Sequence, residues 1–344
     1  MPGFELYTKN MKPGLTEVNR EKQVVFAKHV HNYWGLPRET LILWVHSDEK
    51  WFHALVPRSN AKACEELGIP KQSYSVHHKS HVGKVMGHAT VGFLFRGSPE
   101  NGGKGFLIGL HRCEGFKVPL CDVRHSSKDP VTGRTRYRGN PIKHHKGVPY
   151  KVDCNVTGSD VGTATDPKFA LSELWAHTLL PALDALTAEG APAHGATVVF
   201  QEDNAGPHNC RFYRTFLRDE FSRRGWHVEL QAPQGPYTNV LDLSVFPAMS
   251  KRHSERLQMY NNTEANKELV WKTARNVWDG FSSSEVARAF VLAYRILRLI
   301  IDENGFNHWL SDGTPHCDVR RDFYDFEHGI APANGPRVPI QYEM

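Results

Sequence analysis

The chain has 344 residues, 40% of them hydrophobic and 11% aromatic, which is enough to bury a sizeable core in one large domain or two modest ones and excludes a disordered polymer. No apolar run approaches the roughly 18 residues of a membrane span, and Met1 to Asn10 lacks the basic and apolar regions of a signal peptide, so neither a membrane-embedded nor a secreted protein is expected. The net charge of +5 is compatible with a polyanionic partner without demanding one, and the six scattered cysteines contain no CxxC pair, which predicts free thiols rather than a disulfide framework or a standard zinc finger.

Residues 13 to 35 read as a helix, followed by a Pro-containing turn and an apolar strand, Leu41 to His46, that ends on Ser47-Asp48-Glu49. A second strand-like stretch, Trp51 to Val56, follows at once and predicts a hairpin. Residues 84 to 96 and 104 to 118 read as further strands on either side of a Gly- and Pro-rich turn cluster. From Asp166 the character changes: Asp166-Pro167 offers an N-cap with proline at the first helical position, and an amphipathic run continues to about Leu186. A buried-strand pattern, Ala196 to Phe200, then ends on Gln201-Glu202-Asp203. Pro207 begins a helix to about Arg224, His227 to Leu230 is a short strand, and helices fill 239 to 257, 264 to 279 and 283 to 304.

Two of the apolar strands therefore end on an aspartate, Asp48 and Asp203, and Asp242 opens a helix just after a short strand and a Pro/Gly loop. In an α/β sheet the ends of neighbouring strands converge on one crevice, so acids far apart in sequence can meet there. Grouped carboxylates repel one another unless cations neutralise them, whereas two Mg²⁺ ions about 4 Å apart can clamp the attacking and leaving oxygens of a phosphodiester. Solvated strand-end acids are the competing reading, and spacing alone does not separate the two.

The local stretches do more. His46-Ser-Asp-Glu-Lys-Trp-Phe52, Gln201-Glu-Asp-Asn-Ala-Gly-Pro-His208 and Asn239-Val-Leu-Asp-Leu-Ser-Val-Phe246 resemble, in order, the three signature blocks of mariner-like transposases, and most closely those of the plant-type branch. Lys12-Pro-Gly-Leu-Thr-Glu-Val-Asn19, Gly83-Lys-Val-Met86, Leu179-Leu-Pro-Ala-Leu183 and the 38 residues between Asp203 and Asp242 fit the same pattern, which runs from about residue 12 to about residue 300. The resemblance implies an RNase H-like α/β fold, a mixed central sheet flanked by helices, with an inserted basic β/loop segment. It also implies two Mg²⁺ or Mn²⁺ ions per active site, with Asp48, Asp203 and Asp242 as the catalytic and metal-holding residues. Water would be the first nucleophile and a freed 3′-hydroxyl the second. The implied partners are DNA, as transposon ends and as target.

This predicts a helical lead-in over residues 1–38, a catalytic domain over 39–304 interrupted by an insertion at about 98–165, and a C-terminal tail over 305–344. The expected compartment is the nucleus in a eukaryote and otherwise the cytoplasm. The chain departs from the family pattern at Gly206, where arginine is usual, and at Gly235-Pro236-Tyr237, where Ser-Pro-Asp is usual. Asp48 also lies too near the start for paired helix-turn-helix modules to precede it within this sequence. These departures favour, as an alternative, a non-catalytic DNA-binding protein derived from a transposase. An RNase H-like nuclease acting on RNA–DNA hybrids rests on fold analogy alone and ranks below both.

Residues 124 to 151 carry Arg124, Lys128, Arg134, Arg136, Arg138, Lys143, Lys146 and Lys151 against a single acid, Asp129, and are expected to contact DNA phosphates, the competing reading being a solvated loop. Asn204 is a candidate donor beside Asp203, and His208 is a candidate for orienting DNA or water. Glu49 and Glu202, adjacent to triad members, are expected on the opposite sheet face and are given no role. His111, Cys113, Cys121 and His125 have a spacing that could enclose zinc, with ordinary strand and loop side chains as the simpler reading. His77, His78, His81, His144 and His145 read as polar surface. The apolar spacing of Val286, Phe290, Ala293, Tyr294, Leu297 and Ile301 predicts a helix packed on the sheet, with a homodimer contact as the other use of that face.

Overall fold

The computed structural model describes residues 15–34, 40–54, 83–125, 127–128, 132, 134–258 and 266–305. The tail beyond 305 and the histidines at 77, 78 and 81 lie outside these residues. Five strands form the central sheet: β1 (Leu41–His53), β2 (Lys84–Arg96), β3 (Gly103–Arg112), β4 (Thr197–Glu202) and β5 (His227–Leu230), in the spatial order β5-β4-β1-β2-β3. β1, β2 and β3 are successively antiparallel, while β4 pairs parallel with β1 and β5 parallel with β4. That order and set of directions is the RNase H-like sheet.

Helices cover both faces. α1 (Glu17–Trp34), α4 (Phe246–Gln258), α5 (Lys267–Trp278) and α6 (Ser283–Asp302) pack on one side, and α2 (Leu180–Thr187) and α3 (Arg211–Arg223) on the other. As the middle strand, β1 is buried on both faces, which accounts for its unbroken apolar run. Its even-numbered side chains, Ile42, Trp44 and Phe52, join the first core, and the odd-numbered Leu43 and Val45 join the second.

α6 is fixed at its start by a capping box, in which the Ser282 side chain accepts from Glu285 N and the Glu285 carboxylate accepts from Ser282 N. Its Val286, Phe290, Ala293 and Leu297 are buried against the sheet, so this face is used inside the chain. Phe290 is the centre of an aromatic group, with ring centroids 5.3 Å from Trp44, 5.1 Å from His46 and 5.5 Å from Phe93. Burying one such ring stabilises by roughly 1.5–3 kcal/mol. β3 approaches the start of α6 so closely at Gly105 that a Cβ there would overlap the Ser283 carbonyl. Ser283 Oγ in turn bridges Gly105, accepting from its N at 3.1 Å and donating to its O at 2.9 Å.

Several boundaries differ from those read in the sequence. The expected hairpin after Glu49 is absent, because β1 pairs with β2 along its whole length from Leu41↔Arg96 to His53↔Lys84 and this ladder carries the strand through Ser47-Asp48-Glu49. The stretch 104–118 is two strands: Gly103–Arg112 belongs to the central sheet, and Glu114–Lys117 turns away at the buried Cys113 to pair with Tyr150–Asp153. The excursion from the sheet therefore begins after Arg112 rather than near 98. Asp166-Pro167 does not start a helix, since Phe169–Ala170 first pairs with Val156–Thr157 and helical turns begin at Leu171. Pro207 sits in a turn, and α3 begins four residues later at Arg211.

Within the excursion, three antiparallel ladders are nested on one another: Glu114–Lys117 with Tyr150–Asp153, Val123–Arg124 with Ile142–His144, and Ser127–Lys128 with Thr135–Arg136. They make a two-stranded ribbon leading away from β3. Among the described residues no helix is long and apolar enough to cross a membrane.

Candidate active site

The parallel pairing of β1 with β4 stops at His46↔Gln201, while β1 continues along β2. Asp48 is thus not at a strand end; it stands in mid-strand, two residues beyond the last β4 partner, where one side of β1 is left open. Being even-numbered, it faces the core of α1, α4, α5 and α6, and it is buried. A segment 191 residues further on meets it there: Asn239 Nδ2 donates to Asp48 Oδ2 at 2.9 Å. Asn239 Oδ1 accepts from Leu241 N at 3.0 Å, and Val240 N donates to His46 Nδ1 at 3.3 Å, so the turn that leads into Leu241–Val245 is fastened to β1 at Asp48 and at His46. That wide helical turn brings Asp242 beside Asp48, close enough for each acid to act on the other.

Burial, the neighbouring Asp242 charge, and then Glu49 and Asp203 push the Asp48 carboxyl well above the usual carboxylate range. Asp242 is also raised, by burial ahead of the Asp203 charge, with Lys50 working the other way. Lys50 lies two residues after Asp48 on the same side of β1, and the charges of Asp242 and Asp48 both act on its ammonium. The D-x-K spacing on a strand was the signal that could have marked it.

Asp203 follows β4 immediately and is held differently. Its Oδ1 accepts from Ala205 N at 2.8 Å and from His208 Nδ1 at 2.5 Å. Burial works to raise its pKa, but the His208 and Ala205 bonds bring it below the usual carboxylate range. His208 is fully buried; desolvation alone would lower it, yet its bonds to Asp203 and Glu49 drive it up to about 11, so it is an imidazolium donating from both nitrogens. Its Nε2 faces Glu49 Oε1 at 3.4 Å.

Glu49 and Glu202 do lie on the sheet face opposite Asp48, as strand alternation requires, but that face is not idle. Glu49 reaches His208 there and has His88, its cross-strand partner, at 3.8 Å. Glu202 accepts from Tyr213 Oη at 3.0 Å, and burial pushes its carboxyl up to about 8. His208 thus links Asp203 to a carboxylate on the far face of β1. Neither Glu49 nor Lys50 was assigned a role from the sequence.

Asn204 is placed otherwise than expected, since its amide donates to the Gln231 carbonyl and ties the Asp203 turn to the end of β5 instead of donating to Asp203. Of the basic residues, Arg124 and Lys128 lie on ribbon strands, Arg134, Arg136, Arg138, Lys143 and Lys146 are exposed along it, and Lys151 is exposed but bonded to Glu114 at 2.5 Å. Arg124 Nη1 donates to the Asn140 carbonyl at 2.8 Å. The candidate zinc quartet is not assembled: Cys113 is buried beneath the sheet edge, while Cys121 and His125 are exposed on the ribbon. Among the described residues no group of three or more His, Cys, Asp and Glu side chains is close enough to hold a metal ion as it stands. The acids nevertheless fit a hard dication in kind, being oxygen donors, buried, and mutually repelling to the point that Asp48 and Asp242 resist ionisation.

The fold places the chain in the RNase H-like class. No protein-family model and no curated protein matches it. Among solved structures it is similar to the Mos1 mariner paired end complex with Mn, at 14% identity over 89% of this chain and 68% of that chain with a TM-score of 0.49. It is also similar to the catalytic domain of Mos1 mariner transposase, at 15% identity over 85% of this chain and 97% of that chain with a TM-score of 0.43. The Mos1 Strand Transfer Complex is similar at 13% identity over 89% and 68%, with a TM-score of 0.45.

Proposed function

We propose that this chain is the catalytic domain of a mariner-type DNA transposase, performing metal-dependent phosphodiester hydrolysis followed by strand transfer. The observation that carries the reading is the fastening of the turn that bears Asp242 to Asp48, through Asn239, at the open flank of β1 in an RNase H-like sheet, with Asp203 anchored at the end of β4. The three signature blocks in the sequence fall on these elements in order. Their plant-type character rests on the sequence blocks alone.

On this reading Asp48, Asp203 and Asp242 would hold two Mg²⁺ or Mn²⁺ ions, which when bound supply charge neutralisation and a lowered pKa for an attacking water or 3′-hydroxyl. The chain's own contribution is orientation. The His208 imidazolium and Ala205 N occupy Asp203 Oδ1 and leave Oδ2 to turn toward the acid pair. Asn239 holds Asp48 Oδ2, and Glu49 N donates to Asp48 Oδ1 at 2.7 Å, which fixes the carboxylate plane. Lys50 offsets the negative charge before any cation arrives and can meet a phosphate oxygen afterwards. The ribbon would supply sequence-independent affinity for duplex DNA through its exposed arginines and lysines. A DNA-acting enzyme would work in the nucleus in a eukaryote and otherwise in the cytoplasm.

One observation favours a second reading, a DNA-binding protein that has lost catalysis: the three aspartates do not form a ready ligand cage. Nicking of a labelled duplex, with Mg²⁺, Mn²⁺ or chelator in parallel, separates the two. Metal-dependent cutting supports the enzyme. Duplex binding without cutting in either metal, even when an end-binding module is fused to the chain, supports the binder.

A further inference from the structure

Between α3 and the edge strand β5 runs a groove of about 730 Å³. Arg211, Arg214 and Arg218 line it from the helix side, at a spacing of three and then four residues that puts all three guanidiniums on one face of α3. All three are exposed. Opposing charge is scarce around them. Arg214 donates to the neutral Asn209 side-chain oxygen at 3.0 Å, Arg211 has no ion pair or hydrogen bond with a described residue, and Arg218 meets only its own neighbour Asp219, at 3.4 Å on open surface. The carboxylates on the groove wall are already engaged, Glu202 by Tyr213 and Glu229 by His29 at 3.0 Å.

The groove starts where the acidic centre ends. Glu202 directly precedes Asp203, and Asn209, also on the wall, donates to the Asn204 carbonyl at 2.6 Å and so belongs to the same turn. β5 and β3 are the opposite edges of the sheet, and the ribbon leaves from β3. In strand order the acids on β1 and after β4 therefore stand between two basic features, with the groove on the α3 face of the sheet, and only one of the two features is marked as a cluster in the sequence.

We propose that Arg211, Arg214 and Arg218 form a phosphate track for duplex DNA on the side of the acidic centre away from the ribbon. The proposal rests on the reading of the chain as a DNA-cutting enzyme and adds to it a second, separate surface for the substrate. From Arg211 to Arg218 the helix rises about 10 Å, and three successive phosphates of one strand lie two base-pair steps apart, about 7 Å of axial rise, a difference that long arginine side chains bridge. Guanidinium forks match phosphate oxygens in geometry as well as charge. The contacts carry no base information, so the track accepts any sequence.

The test measures binding of the full chain to a fluorescent duplex of arbitrary sequence over a series of KCl concentrations. Wild type is compared with R211A/R214A/R218A, with R211K/R214K/R218K, and with the ribbon variant R134A/R136A/R138A. The alanine groove variant is expected to flatten the slope of log affinity against log salt by about 2 to 3 units, and the lysine variant to keep the wild-type slope, because counterion release counts charges. Circular dichroism verifies folding, and single R211A and R218A variants, each worth about one unit of slope, serve if the triple variant melts early. A groove variant with the wild-type slope, alongside a flattened ribbon variant and intact cutting, overturns the track and leaves the enzyme reading standing. Absence of duplex binding by the wild-type chain overturns both.

Discussion

Asn239 donates its amide to Asp48 Oδ2 at 2.9 Å and accepts from Leu241 N at 3.0 Å, so one buried side chain couples the acid on β1 to the turn that presents Asp242. Asn239→Ala leaves a buried carboxyl oxygen and a buried amide N–H without partners. It should lower the unfolding free energy by about 1–3 kcal/mol with an unchanged denaturant m-value. Chemical denaturation checks this, and a variant as stable as wild type would show that the coupling has no energetic weight.

Asp203→Asn keeps the shape of the side chain and removes the charge that a cation needs. Cleavage in Mg²⁺ should fall at least about a thousandfold, roughly 4 kcal/mol in barrier, while the fold and duplex binding persist. Labelled-duplex cleavage with purified wild type and variant decides it. Equal cutting by both proteins removes Asp203 from the site.

On the ribbon, Arg134→Ala, Arg136→Ala and Arg138→Ala together should flatten the salt dependence of DNA affinity by about 2 to 3 units. The three side chains are exposed, so the melting temperature should not move. An unchanged slope would return this segment to ordinary solvated surface.

His88 is fully buried, its ring nitrogens make no hydrogen bond with a described residue, and burial, ahead of the opposing Glu49 charge, brings its pKa down to about 4. Its folded pKa is thus below the unfolded value of about 6.5. Between those pH values the unfolded chain takes up a proton that the folded chain refuses, so stability falls as the pH drops through that window, by up to about 1.4 kcal/mol per unit from this one group. His88→Leu should make stability less steep between pH 6.5 and pH 4. Denaturation curves at several pH values compare the two proteins, and parallel profiles would contradict the neutral buried state.

Phe290 joins α6 to β1 and β2 through Trp44, His46 and Phe93. Phe290→Ala should cost about 3–5 kcal/mol by leaving a cavity under the strand that carries Asp48. A melting temperature close to that of wild type would mean the aromatic group repacks without loss.

Elements with strong internal periodicity are legible in the amino-acid order alone. The spans of β2, β5 and α6 match their sequence readings within about two residues, because alternation on a strand and three-to-four spacing on a helix are local properties of the chain. The β1 boundary is not legible in the same way. Ser47, Asp48 and Glu49 look like a turn, and only the thirteen-residue ladder with β2 draws them into a strand. The start of the helix expected at Asp166 failed for the same reason, since a pairing with Val156–Thr157 competed with a good cap.

By itself the sequence determined which acids to consider, the basic character of residues 124 to 151, and the class of sheet that its three blocks imply. These follow from residue identity and order along the chain. The tertiary structure alone decided that Asn239 ties the turn bearing Asp242 to Asp48, that His208 joins Asp203 to Glu49 across β1, and that Arg211, Arg214 and Arg218 face a groove. Each of these depends on segments tens to hundreds of residues apart being brought together by burial of the two cores, and the free energy of that burial is not a property of any one segment.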